Sequence, residues 1–461
     1  MKHRIFSIFL SPLYIFCLLT AVSCPPASNT AASTGLEDAL DSGDAEISSS
    51  ETLPYDGVYP QHEPYGTGIG AMPGRVVWAH DPGCVDWDGS GYWWELSNFD
   101  ETAIQDMVNN SITSLGGQRT AQESWDALFR ANRESRSKQN GYTVGEKIAI
   151  KANINGSAVM DNDTSGKTSM SYTNPVLLKA LLTSLVEDAG VRPDDITVYD
   201  VSRLFPDYMV ELCTQGNLSG VHFVGRDSGV ADMNAPIQWS YPFSGSVNYL
   251  PTCVTEAEYV INLANLKGHS YGVTLCGKNH FGSFINGNAM RPPEGANLHQ
   301  WLTQNEMGIY SPLVDLMANA DLGGKTVLYM LDAVICAPSE GASITGDNSR
   351  WQQAPFNGHY TASVFTSQDP VAIDSVGADF LMNEPAVTSR NSSLRDNPTV
   401  ENYLHEAGLI SRTPSGTVYT DSHGHTVTNL GVHEHWDNSA DKQYSRNLGK
   451  NEGIELVYLR K

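Results

Sequence analysis

Basic charge is scarce in this sequence. Lys and Arg number 28 against 52 Asp and Glu, for a formal charge of −24. No basic run follows the first few residues, so nucleic acid, which needs clustered Lys and Arg to meet its phosphates, is excluded as a partner class. The seven cysteines include no Cys-x-x-Cys pair. The spacing used by thiolate zinc sites and iron–sulfur clusters is thereby missing, and no iron–sulfur cluster is expected. No Gly-x-Gly-x-x-Gly or Walker-type loop follows a strand, which removes support for nucleotide binding. A Gly-x-Ser-x-Gly elbow is also lacking, and with it the local geometry of a Ser-His-Asp hydrolase. Beyond residue 22 no apolar run is long enough to cross a bilayer.

The N-terminus reads as targeting rather than fold. Lys2 and Arg4 precede an apolar run over residues 5–22, closed by Ala21-Val22-Ser23-Cys24. Small residues before a cysteine are similar to the lipobox of bacterial lipoproteins, where the cysteine is acylated and the preceding peptide removed. Residues 1–23 are expected to be a lipoprotein signal peptide and Cys24 the lipidation residue, with an ordinary signal peptide cut nearby as the alternative. Acylation would tether the chain to a membrane surface rather than span it. Pro25 stands where an inner-membrane retention aspartate would sit, which favours the outer membrane or cell surface within the cell envelope. Residues 24–72 are dominated by Ser, Thr, Ala, Gly, Pro and acids, bury too little apolar surface to order themselves, and read as a flexible tether. Once Cys17 leaves with the signal and Cys24 is lipidated, five cysteines remain. An odd number allows at most two bridges and leaves the pairing open.

Residues 73–461 read as a single large α/β domain with a His-rich C-terminal extension over 410–461. Apolar strands are expected at 75–80, 147–153, 196–200, 221–224, 259–265 and 326–332. Between them lie helical patterns. One opens at Asp100 and repeats Ile104, Met107, Val108, Ile112 and Leu115. Another opens at Asn174-Pro175, which places a proline at the first helical position. Others cover 124–132, 207–213, 312–320 and 370–380. This alternation predicts a mainly parallel sheet with helices on both faces.

The chain is organised around residues 259–284, YVINLANLKGHSYGVTLCGKNHFGSF. An apolar strand passes into Asn265, Lys267 and His269, spaced two apart, and then into Lys278, Asn279 and His280 among glycines. Lys151 and Asn153 end a second strand, Asp200 a third and Asp332 a fourth. Open α/β sheets bind ligands beyond the carboxyl ends of their strands, so these residues predict one cleft. Its lysines suit a carboxylate or phosphate group. His269 or His280 would serve as general acid or base. Asp200, Asp332, Asp369 and Asp374 would pair with the lysines or hold a cation. Asp369 reads equally well as the cap of the helix that starts at Pro370, with Asp374 facing outward one turn on.

These motifs resemble the bacterial domain-of-unknown-function family 362. The resemblance rests on Lys151-Ala152-Asn153, on Thr173-Asn174-Pro175, and on an INLxxLKxH element at 261–269. A KNxFG element at 278–282 and a DPVAxD element at 369–374 complete it, in the family's order, across 148–381. It implies an α/β fold and a site but no settled reaction. Some members carry a ferredoxin-like cysteine module; this chain does not, so electron transfer is not carried over. Cys276 stands where the family has a small apolar residue, which leaves a thiol nucleophile there as an option.

The C-terminal region holds two His-x-His pairs, His423/His425 and His433/His435. On an extended strand both imidazoles of a pair point the same way and reach one ion. With a carboxylate such a set suits zinc, iron, manganese or nickel, and His433 and His435 are the expected metal ligands. Two classes of function follow. One is a membrane-tethered enzyme acting on a small anionic substrate, with Lys151, Lys267 and Lys278 binding the anion in a site that includes Asn153 and Asn279, His269 or His280 moving protons, and His433 and His435 with an acid holding a divalent transition metal. The other is a non-catalytic binding lipoprotein for an anionic ligand or metal ion.

Overall fold

A computed structural model describes residues 61–158, 162–241, 247–286, 298–302 and 306–461. The expected signal peptide, Cys24 and the tether up to residue 60 lie outside the described residues. No helix among the described residues is long and apolar enough to cross a membrane.

Eight strands form the main sheet: β1 (Arg75–His80), β2 (Ile148–Ala152), β3 (Ile196–Tyr199), β4 (His222–Val224), β5 (Tyr259–Asn265), β6 (Thr326–Ala333), β7 (Ser363–Ser367) and β8 (Glu455–Arg460). Their spatial order is β8-β1-β7-β6-β5-β2-β3-β4. Only β7 runs against its neighbours, so five of the seven ladders are parallel. The inner strands are buried along their whole length, which is why they read as near-continuous apolar runs rather than alternating ones.

Alternate residues of each strand feed different cores. Val77 and Ala79 of β1 join Ile148 and Ile150 of β2 and the apolar faces of α1 (Glu101–Gly116), α2 (Ala121–Ser135) and α3 (Pro175–Glu187). Val76 and Trp78 point the other way, onto α5 (Pro370–Met382) and α6 (Thr399–Gly408), with α4 (Pro312–Ala318) in the same layer. The sheet is therefore covered on both faces. Helix starts follow local chemistry. Asp100 caps α1 by accepting the amide of Ala103, and Asn174 caps α3 by accepting those of Val176 and Leu177.

Three regions differ from the sequence reading. β7 is built from small and polar residues, SVFTS, and carries no strong period. β8 belongs to the expected His-rich extension but is a full edge strand, paired in parallel with β1. Residues 61–72 were expected to belong to the tether and instead pack on the domain. Tyr65–Gly66 pairs with Val432–His433, and the amides of Ile69 and Ala71 donate to Asp369 and Gln368. Main-chain bonds and partly buried side chains such as Ala71 and Tyr65 hold this segment, and no apolar period in its composition gave a sign of it. All five cysteines among the described residues are free.

Asp369 joins these parts. Its carboxylate accepts from Val371 and Ala372 at the start of α5 (3.1 and 2.8 Å), from Ile69 (3.1 Å) and from Val432 (3.2 Å). Replacing it leaves several buried amides without a partner, each worth on the order of 1–3 kcal/mol. Asp369→Ala is expected to lower stability by about 3 kcal/mol in urea unfolding. A loss under about 1 kcal/mol would mean that water satisfies the amides and that Asp369 is not the tie.

Candidate functional site

The carboxyl ends of β2, β3 and β5 meet in a buried polar network. Lys151 is 1% exposed. Its amine lies 3.1 Å from Asp200, 2.6 Å from its neighbour's carbonyl and 3.2 Å from Asn279 Oδ1. Burial lowers its pKa, and Asp200 opposes that shift. Asp200 also accepts the amides of Ile154 and Ser202 and the Ser202 hydroxyl. This is the condition a buried ion pair needs, because a charge left short of partners is costly. Gly282 packs directly on the pair; a Cβ there would come within 2.5 Å of Asp200 Oδ1 and 2.9 Å of the Lys151 amine.

Asn279 links the strands. Its amide donates to Asn262 Oδ1 (2.8 Å) and to the carbonyls of Leu263 and Lys151, while its oxygen accepts from Lys151 and from Asn153 (3.2 Å). Asn262 was passed over in sequence as part of an apolar strand; the only sign of it was an amide inside that run. His280 was expected as an acid or base, but both its ring nitrogens are engaged, by Asn262 and Ser283 at 3.0 Å each. Burial drops its pKa to about 3, which makes it a neutral part of the scaffold.

Beyond β5 the chain turns through the hairpin of Lys267–His269 and Gly272–Thr274. Gly268 lets this hairpin pack against the Pro338 carbonyl, which a Cβ would approach to 2.1 Å. Lys267 is fully buried and donates to the Ser171 carbonyl (2.9 Å) and to Asn153 Oδ1 (3.3 Å). Lys278 is 8% exposed; its amine meets His299 Nε2 at 3.4 Å and lies 4.5 Å above the Phe281 ring. Neither amine has a carboxylate partner within salt-bridge distance among the described residues. Burial pulls Lys267 to about 8 and Lys278 to about 7. His269 accepts the Tyr271 amide at Nδ1 and stacks against His299 at 5.9 Å. Burial, with Lys278 next, holds His269 far below its ordinary range and His299 at about 4. His299 stood outside every motif in the sequence, and folding alone brings it here.

The remaining expected aspartates are held by amides. Asp332 accepts from the Asn174 amide (2.7 Å), Asn265 and Val334. Asp374 does not face outward. It is fully buried and accepts from the amides of Cys276 (2.8 Å) and Gly277 (2.9 Å) and from the Tyr403 hydroxyl. Both therefore hold neighbouring backbone in place, at the start of α3 and at the turn that carries Lys278. Cys276 is buried beside Asp374, which raises its thiol pKa well above the ordinary value and removes the option of a reactive thiolate there.

His433 and His435 come together as expected, with partners the sequence did not name. One ligand atom each from His62, Glu401, His433 and His435 all lie within 4.8 Å of one another. The His62 and His433 Nε2 atoms are 3.3 Å apart, and His435 Nε2 is 3.1 Å from Glu401 Oε2. His423 and His425 stay apart from this group on an exposed turn, where His425 pairs with Asp421. Glu401 was hidden on a helix, and His62 in a segment read as tether.

No curated protein matches this sequence significantly. Residues 148–379, just over half of the chain, match one family model and hold all ten residues expected at the cleft. The same stretch leaves out His62, Glu401, His433 and His435. The model it matches is that of the domain of unknown function DUF362, and the chain belongs to this family.

Proposed function

We propose that this chain is a cell-envelope enzyme, tethered through lipidated Cys24, that acts on a small anionic substrate in the cleft around Lys267 and Lys278. The observation that carries this reading is the pair of buried lysine amines. Lys151 already has Asp200, but Lys267 and Lys278 contact only neutral groups among the described residues, and Glu340, the carboxylate that acts on both, stays beyond salt-bridge distance. Buried charge calls for a counter-charge or for neutralisation. A carboxylate or phosphate between these amines would supply the former, within a cleft set by the glycine-lined hairpin and the strand ends.

Proton transfer falls to a different pair from the one expected. His280 is engaged at both nitrogens, and Asp200, Asp332 and Asp374 are filled by amides. Lys278 and His299 remain: an amine with a pKa near neutrality beside a neutral imidazole, a combination suited to general acid–base work. His269, whose Nδ1 accepts a backbone amide, would offer its Nε2–H to a substrate oxygen. The second reading, a non-catalytic binding protein, is favoured by the full engagement of those three carboxylates. The two readings part on whether a bound ligand is turned over.

Lys278→Met separates ligand binding from folding. With no anion present it is expected to be more stable than the native chain by about 2 kcal/mol, because a buried unpaired amine is removed. Stabilisation by sulfate or by a panel of small carboxylates should weaken at least about tenfold in Kd, read by thermal shift and calorimetry. Equal ligand stabilisation in native chain, Lys267→Met and Lys278→Met would sink the anion cleft.

The pH dependence has a definite sign. An anion binds the charged amines, so affinity is full below about pH 7 and is lost as pH rises through about 7 for Lys278 and about 8 for Lys267. The fall is up to about tenfold per pH unit for each linked proton. Stability without ligand moves the other way: the unfolded lysines hold protons that the folded ones release, so stability rises from about pH 7 upward. Sulfate is the suitable probe because its own charge is constant over this range. An affinity for sulfate that stays flat from pH 6 to 9 would place the binding charge elsewhere.

A further inference from the structure

The histidine–carboxylate group lies outside both the lysine cleft and the family-matched stretch, and its ring protons can be placed. His62 Nδ1 is 2.7 Å from the Glu63 carbonyl, which can only accept, so that nitrogen carries the hydrogen. His433 Nδ1 is 2.9 Å from Ser375 Oγ, whose own hydroxyl is donated to the Val371 carbonyl at 2.7 Å. The hydroxyl oxygen therefore accepts from His433. His435 Nδ1 is 2.6 Å from Asp379 Oδ1, again an acceptor. In the neutral rings all three Nε2 atoms then present lone pairs. Two of them, on His62 and His433, face each other at 3.3 Å, and the third faces the Glu401 carboxylate at 3.1 Å. Lone pairs converging on a carboxylate repel unless a cation lies among them. A proton on His435 would answer its contact with Glu401 but would leave His62 and His433 opposed.

The surroundings are those of ligand-orienting groups. Asp379, which fixes His435, is itself held by the Trp436 amide (3.1 Å) and the Tyr444 hydroxyl (2.8 Å). His405, one turn on from Glu401, donates to that carboxylate at 2.8 Å. A carboxylate behind a ligating imidazole sets its tautomer and raises its basicity. Three nitrogens and one oxygen without sulfur suit zinc and its neighbours. With bonds near 2.1 Å, tetrahedral ligands stand about 3.4 Å apart. Three of the contacts, at 3.1, 3.3 and 3.8 Å, bracket that value, and all four ligand atoms lie within 4.8 Å of one another.

We propose that His62, His433, His435 and Glu401 bind one divalent transition ion of the zinc class, and that this ion clasps residues 61–66 to the domain. His433 and His435 are fully buried, whereas His62 closes the site from the outer side on a segment whose main-chain ladder to the fold is the two-residue pairing of Tyr65–Gly66 with Val432–His433, beside an exposed Glu63–Lys450 ion pair and the ring contacts of His62 and Tyr65. So short a pairing is weak by itself. Four protein ligands leave no open position, which fits a structural clasp rather than a catalytic ion.

The test uses the mature chain, without a histidine tag, purified without chelators and reconstituted with Zn2+. Elemental analysis should find about one ion per chain. Stripping it should expose Tyr65 to chymotrypsin, identified by the mass of the product, and Zn2+ should restore protection. His62→Ala, at the margin of the fold, should keep a native circular dichroism spectrum and lose both the ion and the Zn2+-dependent protection. Asp379→Asn should weaken Zn2+ about 10- to 100-fold in competition with a chelator. Absence of a stoichiometric ion from the reconstituted chain would overturn the site and leave His435 protonated against Glu401. Undiminished zinc affinity in His62→Ala, or protection at Tyr65 that is independent of zinc, would overturn the clasp.

Discussion

A lysine amine and a carboxylate are buried together at the ends of neighbouring strands, and the strand-end architecture depends on keeping both satisfied. Neither Lys151 nor Asp200 can reach water. The pair is tolerable only because a carbonyl, an asparagine, two amides and a hydroxyl share the charge. That requirement fixes the positions of Asn279, Ile154 and Ser202. Asn279 in turn fixes Asn262 and Asn153. Gly282 follows from the same demand, since any side chain there would occupy the space of the pair. Lys267 lies one step along the same network, held by Asn153, and Lys278 precedes Asn279 in sequence. The two amines without carboxylates are thus held in place by the one amine that has a carboxylate.

Much of this could be read from the sequence, and the reason is physical. A parallel sheet needs strands that are apolar on both sides, so any polar residue at a strand end stands out. Lys151, Asn153, Asp200, Lys267 and Asp332 were visible for that reason, and all are buried where their strands finish. What could not be read is the difference between a residue that faces a ligand and one that supports it. His280 and Asp374 look as reactive in sequence as Lys278, yet their polar atoms are used up by Asn262 and Ser283 in one case and by two amides in the other. His299 had no local signal because its role depends on contacts across the fold.

The histidine group shows the opposite limit. His433 and His435 were legible from a spacing of two on an extended segment. Glu401 and His62 were not, since neither helix periodicity nor a Pro- and Gly-rich composition marks a ligand. The edge strand β8 hid for a related reason: at a sheet edge one face is wet, and the apolar run that betrays an inner strand is absent. Sequence patterns report burial well. They report convergence of distant segments only when a motif happens to lie within one of those segments.

Helix α5 joins the two regions. All thirteen of its residues are buried, and a helix enclosed on every side is normally apolar throughout. This one carries Asp374, Ser375 and Asp379. Asp374 accepts the amides that open the turn bearing Lys278 and Asn279. Ser375 and Asp379, four apart and so on one face, hold the Nδ1 atoms of His433 and His435. Tyr403, two residues after Glu401 on α6, closes the circuit by donating to Asp374. Each buried polar group on α5 is therefore committed to orienting another functional group. The family-matched stretch ends at residue 379, so this helix supplies the lysine cleft from within the matched stretch while bracing histidines that lie beyond it. A buried polar pair can be exchanged as a whole for apolar side chains at little cost, whereas removing one partner strands the other. Asp374 and Asp379 cannot be replaced in that way, because each holds in place a group that would otherwise be free to turn.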